Sequence, residues 1–320
     1  MPLNTQTTFN DLINSTLDGY IKNQLTDNIF KKNALLDKLK AKGKIKYDSS
    51  GGLSFTEFLL YNPNDTIQFQ SITGIINTNP QQHTERAFFN CKTLAGSVTF
   101  TTQEEMENKG TAALLNLLTN KIEIAMSSFT DSIGTSLYGD GTANGGQAFG
   151  GLQLLIADDP TIGTVGGINR ANNSWWRNQL KTIGATPTAA QLVSGMNDLM
   201  VDCQVQSSKT PDLIITDSIY YKLFMSQVQS IQQITQTATG EIGYQTLKFQ
   251  NSDLVLDPKC PASRMYFINT DHVNFKHRNE GFITKENTQR PIDQLVYVTP
   301  MYLYGNLTIN SSRVHGVLKP

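Results

Sequence analysis

The stretch from Thr102 to Tyr138 constrains this chain more than any other. Leu114, Leu118, Ile122, Ala125, Phe129, Ile133 and Leu137 recur every three or four residues, which predicts one long amphipathic helix. Thr102 with Glu105 reads as a capping box, and Glu104, Glu105 and Glu107 put negative charge in the first turn, where the helix dipole favours it. Starting near Gln103 and stopped by Gly139-Asp140-Gly141, such a helix is ~50 Å long at 1.5 Å per residue. Gly110 should weaken or bend its first turns. A rod of that length cannot bury its apolar stripe on itself, so the rest of the chain, or another chain, must be laid along it.

What precedes the helix changes character at about residue 44. Leu12, Leu17, Ile21, Leu25, Ile29 and the run Leu36 to Leu39 predict an arm of short helices. Lys31, Lys32, Lys38, Lys40, Lys42, Lys44 and Lys46 put seven lysines into sixteen residues, opposed nearby only by Asp37. Such a patch could meet phosphate or an acidic neighbour, or be a solvated face. From Lys44 to Phe100 the period becomes two, with Ile45/Tyr47, Leu53/Phe55, Ile67/Phe69 and Val98/Phe100, broken by Gly51-Gly52, Asn62-Pro63-Asn64-Asp65 and Asn77 to Pro80. These are long β-strands with turns and too little apolar content for a core of their own, so a projecting hairpin is expected.

After the helix, Gly139 to Thr186 is rich in glycine and asparagine. Thr188 with Gln191 makes a second capping box for a helix carrying Leu192, Met196, Leu199 and Cys203 on one face. Leu213 to Ile215 reads as a buried strand, and a helix capped by Asp217 or Ser218 turns Leu223, Phe224 and Val228 inward. From Tyr244 onward strands dominate, at Leu247/Phe249, Leu254 to Leu256, Met265 to Ile268, Val273/Phe275, Leu295 to Val298 and Leu307/Ile309. The class is α+β.

Composition narrows the function. The 320 residues carry 26 Lys+Arg against 27 Asp+Glu, whereas Asn, Gln, Thr and Ser number 27, 22, 35 and 21, so amides and hydroxyls supply the polarity. A chain with few charges has a surface suited to extensive polar self-contact, because interface centres are depleted in Lys, Glu and Asp. No apolar run approaches the ~20 residues of a membrane span, and the first residues lack the pattern of a signal peptide. Three distant cysteines, Cys91, Cys203 and Cys260, make no disulfide framework and fit a reducing cytoplasm.

Catalytic signatures are missing: there is no GxSxG, HExxH, Walker A or EF-hand pattern. His272 and His277, five apart in strand-like sequence, point to opposite faces and do not suit one metal. Asp158-Asp159 before Pro160 reads as a turn in the absence of a third carboxylate. Gly139-Asp140-Gly141 with Gly145-Gly146 follows a helix, whereas a dinucleotide fingerprint follows a strand. Trp175-Trp176-Arg177 could stack bases, but tryptophans more often anchor a loop or a subunit interface. Neither an enzyme nor a cofactor is expected. Lys38, Lys40, Lys42, Lys44, Trp175 and Trp176 are the candidate assembly contacts, and at least one tryptophan should be buried.

The order of elements resembles the major capsid protein of tailed bacteriophages, the Hong Kong 97-type capsid fold. The segment Gly150-Gly-Leu-Gln-Leu-Leu-Ile-Ala-Asp-Asp-Pro160, followed by Gly163 to Arg170 and Trp175-Trp176-Arg177, is similar to the entry of that family's axial domain. The hairpin Leu247 to Asp257 fits the same group. The resemblance implies an N-terminal arm at 1–44, an extended loop at 45–100, a peripheral domain with the spine helix at 101–144, an axial domain at 145–255 and a return to the peripheral domain at 256–320. It implies pentamers and hexamers of an icosahedral shell around double-stranded DNA held without sequence specificity, in a virion capsid made in the bacterial host cytoplasm. It further implies a separate scaffolding protein and a portal, and no membrane. Covalent cross-linking is not expected, because the loop holds only Lys46 and Lys92. A protein compartment of the encapsulin type shares the same physics and is the alternative.

Overall fold

The computed structural model describes residues 33–69, 71–72, 74–75, 77–107, 111–206, 209–231 and 247–320. The arm helices expected before Asn33, Lys31, Lys32 and Gly110 lie outside these residues. The first element, α1 (Ala34–Ala41), is capped by the Asn33 side chain, which accepts from the Leu36 N–H at 3.3 Å. Its Leu35, Leu36 and Leu39 are fully buried. Then come β1 (Ile45–Tyr47), β2 (Ser54–Leu60), β3 (Thr84–Asn90) and β4 (Lys92–Thr101). The expected long helix follows as α2 (Thr102–Glu107) and α3 (Thr111–Tyr138).

Its capping box sits one residue earlier than the sequence suggested. The Glu104 carboxylate accepts from the Thr101 N–H at 2.9 Å, while the Thr101 hydroxyl accepts from the Glu104 N–H at 3.2 Å. Thr102 is spent elsewhere, its N–H and hydroxyl both donating to the Leu295 carbonyl at 3.0 Å, because β4 runs paired up to Thr101. Along α3 the stripe Ile122, Met126, Phe129, Ile133 and Leu137 is buried.

The glycine-rich passage contains the ribbon β5 (Thr164–Val165) and β6 (Ile168–Asn169), then β7 (Gln179–Thr182) and α4 (Ala189–Val205), whose Thr188/Gln191 capping box is present. After β8 (Leu213–Thr216), Asp217 caps α5 (Ser218–Ile231) through the Tyr220 N–H at 3.1 Å. The remaining strands are β9 (Leu247–Phe249), β10 (Ser252–Leu256), β11 (Met265–Ile268), β12 (Val273–His277), β13 (Thr284–Lys285), β14 (Val296–Ile309) and β15 (Gly316–Lys319).

Two larger sheets organise the molecule. One has the order β7-β15-β11-β8-β10-β9; the other has β1-β12-β14-β13, with β4 paired along the first ten residues of β14. In the six-stranded sheet Leu213, Ile215, Val255, Tyr266, Ile268 and Val317 face the core shared with α1 and α3. Ile214, Leu254, Met265, Phe267 and Leu318 face a second cluster under α4 and α5. Both faces of these strands are apolar, which is why Leu213 to Ile215 reads as an unbroken hydrophobic run.

α1 is bolted to the end of the long helix. Asp257, fully buried, accepts from the Tyr138 hydroxyl at 2.6 Å and the Leu35 N–H at 3.4 Å, joining the C-terminus of α3 to the N-terminus of α1. Beyond Tyr138 the chain doubles back so closely that a Cβ on Gly151 would lie 2.4 Å from the Ser136 carbonyl oxygen.

The hairpin differs from expectation at both ends. β2 and β3 pair antiparallel from Ser54↔Asn90 to Leu60↔Thr84, but Ile67 and Phe69 lie in the connecting loop, outside any strand. Their period-two pattern is real, yet among the described residues no strand pairs with them. The base, by contrast, is packed on its own chain: Phe55, Leu59, Ala87 and Phe89 are buried in the main core. Sparse apolar content did not prevent this, because strand alternation puts those few residues on one face.

Candidate functional site

The lysines of the arm meet acids of the same chain. The Lys38 ammonium lies 3.0 Å from Asp253 and that of Lys44 2.9 Å from Asp271; Lys42 pairs with Asp212. Lys209 adds a second contact to Asp271 at 2.7 Å. Hydrogen bonds from Lys209 and Lys44 hold the Asp271 carboxyl well below the usual carboxylate range. For Asp212, burial pushes the carboxyl up, but hydrogen bonds from Lys42 and Thr270 outweigh it and hold it low. Lys40 is exposed, and Lys38 is buried. Asp37 is therefore not the only counter-charge of the arm. Asp212, Asp253 and Asp271 are remote in sequence and brought to the arm only by the fold, so no local pattern announced them.

Beside this junction lies His315, fully buried, its Nδ1 accepting from the Asn269 N–H at 3.2 Å. Burial lowers its pKa to about 3, helped by the charge of His272 and opposed by that of Asp212. His272 itself ends a short 3-10 turn (Thr270–His272) and is not in a strand, while His277 ends β12, so the opposite-face argument does not apply as stated. Among the described residues no group of three or more His, Cys, Asp or Glu is placed to hold a metal ion. Asp158 makes no such cluster; it receives the Arg264 Nε–H on both oxygens at 3.1 Å. The Gly139 to Gly141 turn is closed by Asp140, which accepts from the Thr142 N–H at 2.9 Å.

The two tryptophans part company. Trp176 is 1% exposed, and its indole N–H donates to the Val165 carbonyl at 3.0 Å. Trp175 is half-buried, its ring stacked on Tyr61 at 4.9 Å and 22°. Arg177 donates to the carbonyls of Arg170 and Ala171 at 2.7 Å each. Arg170, 1% exposed, reaches the Leu154 carbonyl and the Ser312 hydroxyl at 3.3 Å each, with its pKa lowered to about 10 by burial. Gly166, at φ +61°, presses on β3: the Phe88 N–H donates to its carbonyl at 2.8 Å, and a Cβ there would lie 2.7 Å from Ala87.

Polar pins complete the hairpin's seat. Glu57 pairs with Lys276 at 2.8 Å and accepts from Thr308 at 2.7 Å, Arg278 donates to the Ser54 carbonyl at 3.0 Å, and Asn306 donates to that of Asn90 at 2.8 Å. Sequence reading missed these residues, although isolated charges inside period-two runs were the available signal. On the outer side Leu53, Phe58, Leu60 and Phe88 are exposed, and so are Ile67, Phe69, Ile72 and Ile75 beyond the strands. A groove of about 390 Å³ separates β4 from α3, lined by Leu94, Val98, Ile124, Ala125 and Phe129 among others. Among the described residues no helix is long and apolar enough to cross a membrane.

No family model matches the chain, and no curated protein matches it in sequence. Solved structures match along most of its length. The capsid protein of cyanophage A-1(L) superposes with a TM-score of 0.68 at 14% identity, covering 92% of both chains. That of the Myoviridae phage XM1 gives 0.58 at 15% identity, covering 88% of this chain and 91% of that one. The SrpI encapsulin of Synechococcus elongatus PCC 7942 gives 0.52 at 9% identity, covering 88% and 86%. The likeness runs over nearly the whole length of each chain, and this chain has the Hong Kong 97-type fold seen in tailed-bacteriophage capsids.

Proposed function

We propose that this chain is a major capsid protein, a structural subunit without enzymatic activity. It self-assembles into pentamers and hexamers of an icosahedral shell that encloses double-stranded DNA. The observation that carries this reading is the fold match over 92% of both chains with a cyanophage capsid protein. The surface supports it: from Thr66 to Pro80 the chain has no charged residue, and Ile67, Phe69, Ile72 and Ile75 stand almost fully exposed. Apolar side chains so disposed mark a contact surface. An adjacent copy covers this tip, and the groove between β4 and α3, itself mostly apolar, is the receiving surface.

The domain scheme is arm 1–44, extended loop 45–100, peripheral 101–144 and 256–320, and axial 145–255. Trp175 and the lysines Lys38, Lys42 and Lys44 serve assembly indirectly, by fixing the hairpin and the arm on the subunit, while exposed Lys40 is a direct assembly contact. A separate scaffolding protein and a portal are the further partners, and the virion capsid, built in the bacterial cytoplasm, is the location. A second reading, an encapsulin-type compartment, is favoured by the match to the SrpI encapsulin. Electron microscopy of the expressed protein tests both readings, since each requires closed shells. Nuclease-resistant DNA of genome length inside particles from the native source supports the capsid; shells holding cargo protein and no long DNA support the compartment. A protein that stays a small oligomer under all assembly conditions refutes both.

A further inference from the structure

The hairpin leaves the body of the subunit at one identifiable rung. Its ladder ends at Leu60↔Thr84, and the Tyr61 N–H adds a last bond to the His83 carbonyl at 3.1 Å. Below this rung the hairpin is held by buried side chains and by Glu57, Lys276 and Arg278. At the rung itself the described contact from the body is the Trp175 ring, stacked on Tyr61. Trp175 is in turn rigidly mounted: it precedes buried Trp176 in a 3-10 turn and packs on the main core, and the neighbouring ribbon grips β3 through the Gly166 carbonyl.

We propose that Trp175 is a positioning residue that sets the direction in which the hairpin tip, residues 62–82, projects, acting through Tyr61. Trp175 is stacked at the fulcrum, while Ile67, Phe69, Ile72 and Ile75 at the tip stand almost fully exposed. Its leverage follows from chain geometry. Ten residues from Tyr61 towards the turn reach up to ~30 Å at ~3.3 Å per residue. A tilt of about 10° at the rung then displaces the end by ~5 Å, about the spacing between neighbouring strands. A displacement of that size takes Ile67, Phe69, Ile72 and Ile75 out of register with any fixed receiving surface. Offset-stacked rings resist such a tilt while leaving the core intact. The idea rests on the assembly reading for its purpose, but not for its test.

The experiment measures tip direction in the full-length, unassembled subunit. Spin labels go on cysteines introduced by Gln68→Cys at the tip and Lys222→Cys on α5, with Cys91→Ser, and the distance distribution between them is recorded. Trp175→Ala and Tyr61→Ala should each broaden or shift that distribution by about 5 Å, the lever-arm displacement above. The double variant should do no more than either single one, because both remove the same contact. Trp175→Phe, which keeps a ring for Tyr61, should restore most of the parent distribution, and the melting temperature of all four should stay within a few degrees of the parent. An unchanged distribution, additive effects, or a broadening accompanied by general loss of stability overturns the proposal. Shell yield is read in parallel. If the parent forms no shells, the assembly reading fails while the distances still decide the fulcrum; if Trp175→Ala abolishes shells with an unchanged distribution, the fulcrum fails alone.

Discussion

Acidification should weaken this subunit first through His315. The side chain is fully buried and its pKa is lowered to about 3, against the ordinary histidine value of 6.5. Below pH 6.5 the unfolded chain therefore takes up a proton that the folded chain refuses, so stability falls as pH falls and levels off only below about 3. A full proton of difference gives a slope of about 1.4 kcal/mol per pH unit, and because the unfolded histidine is half protonated at pH 6.5 the loss is ~2 kcal/mol between pH 6.5 and 4.5 and roughly 5 kcal/mol in all. Asp271, Asp212 and Glu104, all held low, contribute stability that is present above their unfolded values and begins to be lost at about pH 5.5, so the window from 6.5 to about 5.5 belongs to histidine and the comparison with a histidine variant isolates it below that. His277, lowered by burial, adds a slope of the same sign. The perturbation is His315→Asn, whose carbonyl can still accept from the Asn269 N–H. Urea unfolding of dissociated subunits at fixed ionic strength, from pH 4.5 to 7.5, gives the two stability curves. The parent should be steeper than the variant by about 1 kcal/mol per pH unit below pH 6 and parallel to it above pH 7. Parallel curves throughout would mean that His315 is protonated in the folded state or reached by solvent, and the reasoning would be wrong.

Four further outcomes are expected. Tyr138→Phe leaves Asp257 short of one buried hydrogen bond and should lower subunit stability by ~1–3 kcal/mol in urea unfolding, with the fold unchanged. Gly151→Ala forces a Cβ against the Ser136 and Leu137 carbonyls, which are backbone and cannot swing aside, so soluble yield should collapse; a stable, soluble variant would contradict the close approach. Replacing Lys38, Lys42 and Lys44 with Gln should weaken assembly at moderate salt by loosening the arm, whereas Arg at the same three positions, which keeps the charge, should retain most of it. Equal assembly across a salt series, with and without these changes, would make the pairs solvated ornaments. Deleting residues 62–82 and closing the gap with a short turn should leave a folded subunit with its parent circular dichroism but no shells by electron microscopy.

Periodicity and caps along single elements were legible in the sequence because their causes are local. The stripe from Ile122 to Leu137 fixes a helix and its buried side, and Thr188 with Gln191 fixes where another begins. Even here locality has a limit. Thr101 displaced Thr102 as cap because β14, nearly two hundred residues away, holds β4 in the ladder up to Thr101. The charge of the arm was legible as a count, but its meaning was not: β8, β10 and the turn before β12 bring Asp212, Asp253 and Asp271 to Lys42, Lys38 and Lys44, pairings that no local spacing shows. Likewise Trp175 and Trp176 announced an anchor, and only packing decided that one enters the core and the other stacks on Tyr61. Backbone preference and side-chain spacing act over a few residues and are written in order along the chain. Burial, ion pairing and the shift of a histidine's pKa depend on which distant atoms displace water, and that is decided only when the tertiary structure closes.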